Sequence, residues 1–221
     1  SCSSSRTKSK VIFFSNLYII QQKINMKKIL ITGGCGYVGS AICHFLKNNY
    51  DITVIDNLVN GDKKLLPPKV KFIKSNISNT EKLRKKLKGR YDLVIHCAAF
   101  IDARESDILP KKYIKNNFID AKKFLNFCVS IGIKKFILSS TCAVYAKTKF
   151  KVSEKSRIGP VSTYGLSKLK IENYLKNISK EKKIQYVILR YFNVAGADPK
   201  LKYGIISKKN KSLIKVCCQN Y

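Results

Sequence analysis

The sequence predicts an α/β protein built on a doubly wound parallel sheet, and three observations carry that prediction. From Met26 onward, apolar strands alternate with amphipathic helices. Most of the strands are short continuous apolar runs, Leu93-Val94-Ile95 among them, as suits a parallel sheet covered on both faces. The first strand and first helix are joined by a glycine turn in which Gly33, Gly36 and Gly39 stand at G-x-x-G-x-x-G spacing. Alternation at this spacing implies right-handed βαβ units.

The elements follow in order. Lys28–Thr32 is an Ile-Leu-Ile strand ended by Gly33, and Tyr37–Asn48 is an amphipathic helix. Asp51–Asp56 and Val70–Lys74 are the next strands, separated by a loop that Pro67-Pro68 marks. Thr80–Lys88 reads as a helix, Asp92–Cys97 as a strand and Lys111–Ser130 as a long helix. Lys135–Ser139 is a strand that runs into Ser140-Thr141. Gly159-Pro160 then precedes the last long helix, Thr163–Lys182, which Ser162 could cap. Gln185–Arg190 is the final strand. In such sheets ligands bind beyond the carboxyl ends of the strands. One crevice should therefore be lined by Gly33–Gly39, Asp56, Cys97–Ile101, Ser139–Val144 and Tyr191–Asn193.

At 221 residues the chain can bury a substantial core. Its formal net charge of +31 invites a nucleic-acid reading, but the 44 basic residues are nearly all lysine and spread over every predicted helix and loop. No recognition motif or interleaved aromatic platform accompanies them, so nucleic acid is not the expected partner. Eight cysteines show no C-x-x-C spacing, which reads as reduced thiols in a cytoplasmic protein. His44 and His96 are too few for a metal cage, and no metal is expected. Both are read as structural.

Ser1–Asn25 differs from the rest. It is Ser-rich, has no acidic residue, and carries an apolar run, Val11 to Ile20, too short to span a bilayer. It is read as an extraneous or unstructured extension rather than a membrane or targeting segment, with the natural start at Met26, the single methionine. The expected organisation is this extension, one domain over 26–203, and the truncated start of a further region over 204–221.

The glycine turn suits a dinucleotide. Its glycines let the backbone approach a pyrophosphate, whose charge the free N–H groups of Tyr37, Val38 and Gly39 at the helix start would meet. Asp56 ends the second strand, where a carboxylate accepts the ribose hydroxyls of an adenosine and repels a 2′-phosphate, so NAD is favoured over NADP. Tyr164 and Lys168 stand at i and i+4 on one helix face. A nearby ammonium and a nicotinamide cation should lower the phenol pKa and make Tyr164 a general base. The spacing alone is weak, because Tyr145 and Lys149 share it. Only Tyr164 opens a helix with a hydroxyl cluster, Ser139-Ser140-Thr141, at the end of the preceding strand.

Taken together, TGGCGYVGS (Thr32–Ser40), VIDNL (Val54–Leu58), VIHCAA (Val94–Ala99), KNNF (Lys115–Phe118), SSTCAVY (Ser139–Tyr145), YGLSK (Tyr164–Lys168) and LRYFNVAGADP (Leu189–Pro199) resemble the extended short-chain dehydrogenase/reductase family. The resemblance covers Met26 to about Ser212 and implies a Rossmann-type sheet, a tightly held NAD and a UDP-sugar substrate. The implied reaction is epimerisation at C4 of a UDP-hexose through a 4-keto intermediate, interconverting UDP-glucose and UDP-galactose. Catalysis falls to Thr141, Tyr164 and Lys168. Cofactor contacts fall to the glycine turn, Asp56, Asn57, Asn76, Ile77, Cys97, Ala98, Ala99, Asn117, Tyr164, Lys168 and Phe192. Thr141, Tyr164 and Asn193 are the implied substrate contacts.

Relatives that dehydrate the sugar carry an acid after the Ser/Thr, where this chain has Cys142 and Ala143. Neither side chain can protonate a leaving hydroxyl in that role. Asn76 stands where many members have an Asp that reads the adenine, and Ile101 where some have a lysine. Members continue well past LRYFN. A full-length protein is therefore expected to extend beyond Tyr221, and a homodimer is compatible with it.

Overall fold

The computed structural model describes residues 28–200, 202–205 and 216–217, together with the backbone of 10–11. Its strands are β1 (Lys10–Val11), β2 (Lys28–Thr32), β3 (Asp51–Asp56), β4 (Lys71–Lys74), β5 (Leu93–His96), β6 (Lys135–Thr141) and β7 (Gln185–Tyr191). The helices are α1 (Tyr37–Leu46), α2 (Thr80–Lys86), α3 (Ala103–Ile108), α4 (Pro110–Ile114), α5 (Ala121–Ser130) and α6 (Thr163–Lys182).

All strands are parallel, in the order β1-β7-β6-β5-β2-β3-β4. The chain winds one way from β2 to β4 and the other way from β5 to β7. The loops after β2 and β5 therefore diverge and open a crevice at the switch point. Side chains alternate across β2: Leu30 enters one core with Phe124, Leu138 and Leu175, while Ile29 and Ile31 enter the other with Ile42 and Val54. Among the described residues, α1 is the only helix that adds buried side chains to this second core. No described helix is long and apolar enough to cross a membrane.

Where sequence and structure differ, the reasons are local. The predicted helix Lys111–Ser130 is divided by a π-helical stretch, Lys115–Asp120. It carries Asn117 inward, 2% exposed, onto the loop after β5. The six-residue α3 was not predicted: Ile108, its one large apolar residue, faces solvent, so it has no apolar period. Asp102 caps it, accepting from the Glu105 N–H at 3.0 Å. In the N-terminal stretch, Lys10 and Val11 pair with Val187 and Ile188, so these two residues are strand rather than an unstructured extension. The rest of Ser1–Asn25, with Met26, lies outside the described residues, as does most of 204–221.

Candidate active site

The glycine turn is built by close approach. Gly33 has φ +69, and a β-carbon there would lie 2.6 Å from the Ala98 nitrogen. On Gly39 it would lie 2.2 Å from the Gly33 oxygen. These two glycines are required by the protein's own packing. Gly36 is different: a β-carbon would meet only the Gly33 oxygen, at 3.3 Å. The space beside Gly36 is open, and it faces the start of α1, where no side chain caps the helix. The first N–H groups of a helix need acceptors, and an uncapped start beside an open glycine suits a phosphate.

The start of α6 is the reverse case. Ser162 accepts from the Gly165 N–H at 3.1 Å, Ser106 from Tyr164 at 2.9 Å and Asp107 from Thr163 at 2.8 Å. Every donor of this first turn that an anion would seek is already taken. α6 is thus held in place rather than offered to a ligand.

Asp56 is buried, and each carboxylate oxygen accepts a backbone N–H: Oδ2 from Cys35 at 3.0 Å and Oδ1 from Leu58 at 2.8 Å. It pins the glycine turn to the end of β3, and an ionised carboxylate retains acceptor capacity for ribose hydroxyls. A cleft beside it is lined by Gly33, Gly36, Asp56, Asn57, Asn76, Ile77, Cys97, Ala98 and Ala99, all predicted. Phe100, within the expected stretch Cys97–Ile101, lines it too, while Ile55, Val59, Asn60, Gly61, Ser75 and Asn116 line it and were not predicted. Gly61 had no signal beyond a glycine in a loop, yet a β-carbon there would touch Cys35 at 2.8 Å. The Asn76 carbonyl, expected to face an adenine, already accepts from the N–H and hydroxyl of Ser78 at 3.0 and 3.1 Å. Asn57 likewise accepts from the Val59 N–H at 3.1 Å.

The remaining predicted residues lie off that cleft. The Val38 side chain packs into the second core, and the Tyr37 hydroxyl donates to the Gly196 carbonyl at 2.6 Å. Asn117 accepts from the Phe100 N–H at 2.9 Å and donates to the Phe100 carbonyl at 2.9 Å and to Ser167 at 3.2 Å. It thus holds the loop bearing Ala98 and Ala99 against α6. Phe192 and Asn193 are exposed at the end of β7. Tyr145, of the rejected pair, is buried with its ring 4.8 Å beneath the Arg190 guanidinium.

Thr141 ends β6 and is buried, its hydroxyl accepting from the Ala143 N–H at 3.1 Å and facing the Tyr164 phenol. Tyr164 and Lys168 share one face of α6, as expected. Burial pushes the phenol above its ordinary range, and the Thr141 hydroxyl only partly offsets it. Lys168 is 3% exposed, and burial brings its ammonium down to about 8. His96 is bonded through Nδ1 to the Thr32 hydroxyl at 2.7 Å and pushed down to about 3, chiefly by burial. It is a neutral core residue, as read from the sequence. The Cys35 thiol is pushed up to about 12 by burial and by Asp56 and carries no thiolate chemistry. Among the described residues no group of His, Cys, Asp and Glu could hold a metal ion.

The residues present fit NAD: an open glycine before an uncapped helix start, a buried carboxylate ending β3, and a Tyr-Lys face beyond. The comparisons agree with this geometry. The chain matches the model of the NAD dependent epimerase/dehydratase family over residues 29–214. It is 37% identical over 195 residues to a UDP-glucose 4-epimerase of Azospirillum brasilense, covering 87% of this chain and 56% of that protein. It is 32% identical over 188 residues to UDP-arabinose 4-epimerase 1 of Arabidopsis thaliana, covering 80% and 45%. A crystal structure of UDP-glucose 4-epimerase from Brucella ovis in complex with NAD superimposes with a TM-score of 0.81 at 30% identity, covering 85% of this chain and 58% of that one. The chain spans about half the length of the curated relatives it matches. On the family match and these similarities, the chain belongs to the NAD dependent epimerase/dehydratase family.

Proposed function

We propose that this chain carries the cofactor and catalytic half of an NAD-dependent 4-epimerase of UDP-hexoses, interconverting UDP-glucose and UDP-galactose. One observation supports the reading above the others: Tyr164 faces Thr141 one turn before a buried Lys168, whose neighbour Cys97 lines the cleft beside the glycine turn. Gly36 and the start of α1 hold the pyrophosphate, and Asp56 accepts the adenosine ribose. NAD held there would supply the acceptor and donor for the C4 hydride.

The protein's own groups move the proton. Thr141 holds the sugar 4-oxygen, and Tyr164, as the tyrosinate that the Lys168 ammonium and a bound nicotinamide cation would favour, removes the hydroxyl proton as the C4–H bond breaks, leaving a 4-keto sugar. The raised phenol returns that proton when hydride adds to the opposite face. Lys168, charged below about pH 8, sits one turn along the same face to hold the nicotinamide ribose. Cys142 and Ala143 offer no acid for dehydration, which favours epimerisation. The similarity to a UDP-arabinose epimerase makes a UDP-pentose the second substrate to try.

The test is product identity. The chain, in the longest form its gene encodes, is given UDP-galactose, with UDP-arabinose in parallel, and products are separated by chromatography. UDP-glucose is expected. A 4-keto-6-deoxy sugar would overturn the epimerase reading, and turnover of the pentose alone would replace the hexose.

A further inference from the structure

Directly beneath the Tyr164/Lys168 pair lies a buried ionic cluster that the reaction as described does not use. Glu172, one turn past Lys168 on α6, is fully buried. Its carboxylate receives Arg190 of β7 at 2.6 Å from Nη2 to Oε2 and 3.1 Å from Nε to Oε1. The Ser140 hydroxyl at the end of β6 also donates to Oε1. Lys176 approaches Oε2 at 3.8 Å. One carboxylate thus ties a single turn of α6 to both neighbouring strands, and its partner Ser140 immediately precedes Thr141.

We propose that Glu172 is a positioning residue for the Tyr164/Lys168 pair, fixing α6 against the ends of β6 and β7 through Ser140 and Arg190 and holding the Lys168 ammonium charged in the interior. Three features carry the inference, which rests on the epimerase reading for its kinetic consequence. First, the anchor lies close in sequence to what it must position: Ser140 is next to Thr141, and Glu172 is four residues from Lys168. Second, a buried ion pair is a poor source of net stability, because desolvation offsets its attraction. Third, the groups facing Lys168 leave Glu172 as the one acid among them. His96 and Cys97 face it from β5, with Tyr191 of β7 beyond Cys97. Arg190 lies behind Glu172, and Thr141 and Cys142 face Tyr164 from β6. Burial lowers Lys168, and Cys97 and then Glu172 oppose that. Glu172 touches neither substrate nor cofactor in this arrangement and acts through its neighbours.

The test uses Glu172→Gln and the charge-balanced double variant Glu172→Leu/Arg190→Leu, the second because a lone buried Arg190 can cost the fold. Lysine Cε signals are followed by NMR against pH, a readout that needs no turnover. In the wild type one lysine should titrate near pH 8, apart from the surface lysines, and vanish in Lys168→Met. In folded Glu172→Gln its midpoint should fall by roughly one pH unit, since an opposite charge has gone, and in the double variant, which loses a like charge too, it should move less. In parallel, kcat for the UDP-sugar should drop on the order of 10- to 100-fold with KM little changed, as a misplaced catalytic pair requires. An unmoved Lys168 midpoint in folded Glu172→Gln, or an unchanged kcat in a double variant as folded as wild type, would overturn the proposal. If the midpoint moves but the wild type turns over no UDP-sugar, the positioning role stands and the epimerase reading alone fails.

Discussion

Gly165 rests so closely on Ala143 that a β-carbon on it would lie 2.3 Å from the Ala143 carbonyl oxygen. The first turn of α6 is thereby seated on the 3-10 turn Cys142–Val144 that follows Thr141. This contact, with the Ser106 and Asp107 bonds to the same turn, brings the Tyr164 phenol to the Thr141 hydroxyl.

Replacing Gly165 by Ala should push the helix start off that turn. The clash is with backbone, so the cost should be about 2 kcal/mol or more. A displacement of about 1 Å at Tyr164 can lose on the order of 100-fold in rate. Thermal unfolding and kcat measured on the same preparation check both parts. A Gly165→Ala protein with wild-type kcat would show that the contact does not set the catalytic distance.

Gly36→Ala should separate folding from cofactor binding. Its β-carbon meets one protein atom at 3.3 Å, so the melting temperature should stay close to wild type, while Gly39→Ala, at 2.2 Å, should destabilise. The methyl on Gly36 should fill the space the pyrophosphate needs and weaken NAD binding by about tenfold or more, roughly 1.4 kcal/mol. Calorimetric titration with NAD gives the comparison. Equal affinity in Gly36→Ala would place the pyrophosphate elsewhere.

Tyr164→Phe keeps the ring and removes the hydroxyl that Thr141 contacts. If the phenol is the acid and base, epimerisation should slow by about 10²–10⁴ with NAD affinity nearly unchanged. Loss of NAD binding in equal measure would make Tyr164 a binding residue instead.

His96 should make the fold acid-sensitive. Its folded value of about 3 lies below the ordinary 6.5 because burial, and next Lys168, oppose the charged ring. The unfolded chain takes up this proton as pH falls through 6.5, and the folded chain only near 3. The stability from neutral His96 is therefore complete above pH 6.5. It is lost as pH falls toward 3, by at most about 1.4 kcal/mol per pH unit. Urea unfolding at several pH values in this window should show a shallower loss for His96→Gln than for wild type. Parallel slopes in the two proteins would remove His96 as the cause.

The six predicted strands all form, with ends shifted by at most two residues, because most are continuous apolar runs whose local pattern and buried environment agree. The glycine turn and Asp56 were legible because their spacing is short and their residue types are constrained. Lys111–Ser130 was read as one helix because the π-helical turn at Asn117 depends on Phe100, seventeen positions away, and on Ser167, fifty positions away. Tyr164 faces Thr141, and its phenol is raised by burial, which no spacing reveals.

By itself the sequence determined the order of strands and helices, the dinucleotide turn and the Tyr-Lys face, since periodicity, glycine spacing and i,i+4 neighbours are properties of short stretches of chain. Only the tertiary structure decided that Gly36 is open while Gly33 and Gly39 are packed, that Gly165 seats α6, and that Glu172, Arg190 and Ser140 meet beneath Lys168. Those relationships arise where separate elements come within contact distance. There burial sets the cost of every charge and an added methyl has nowhere to go.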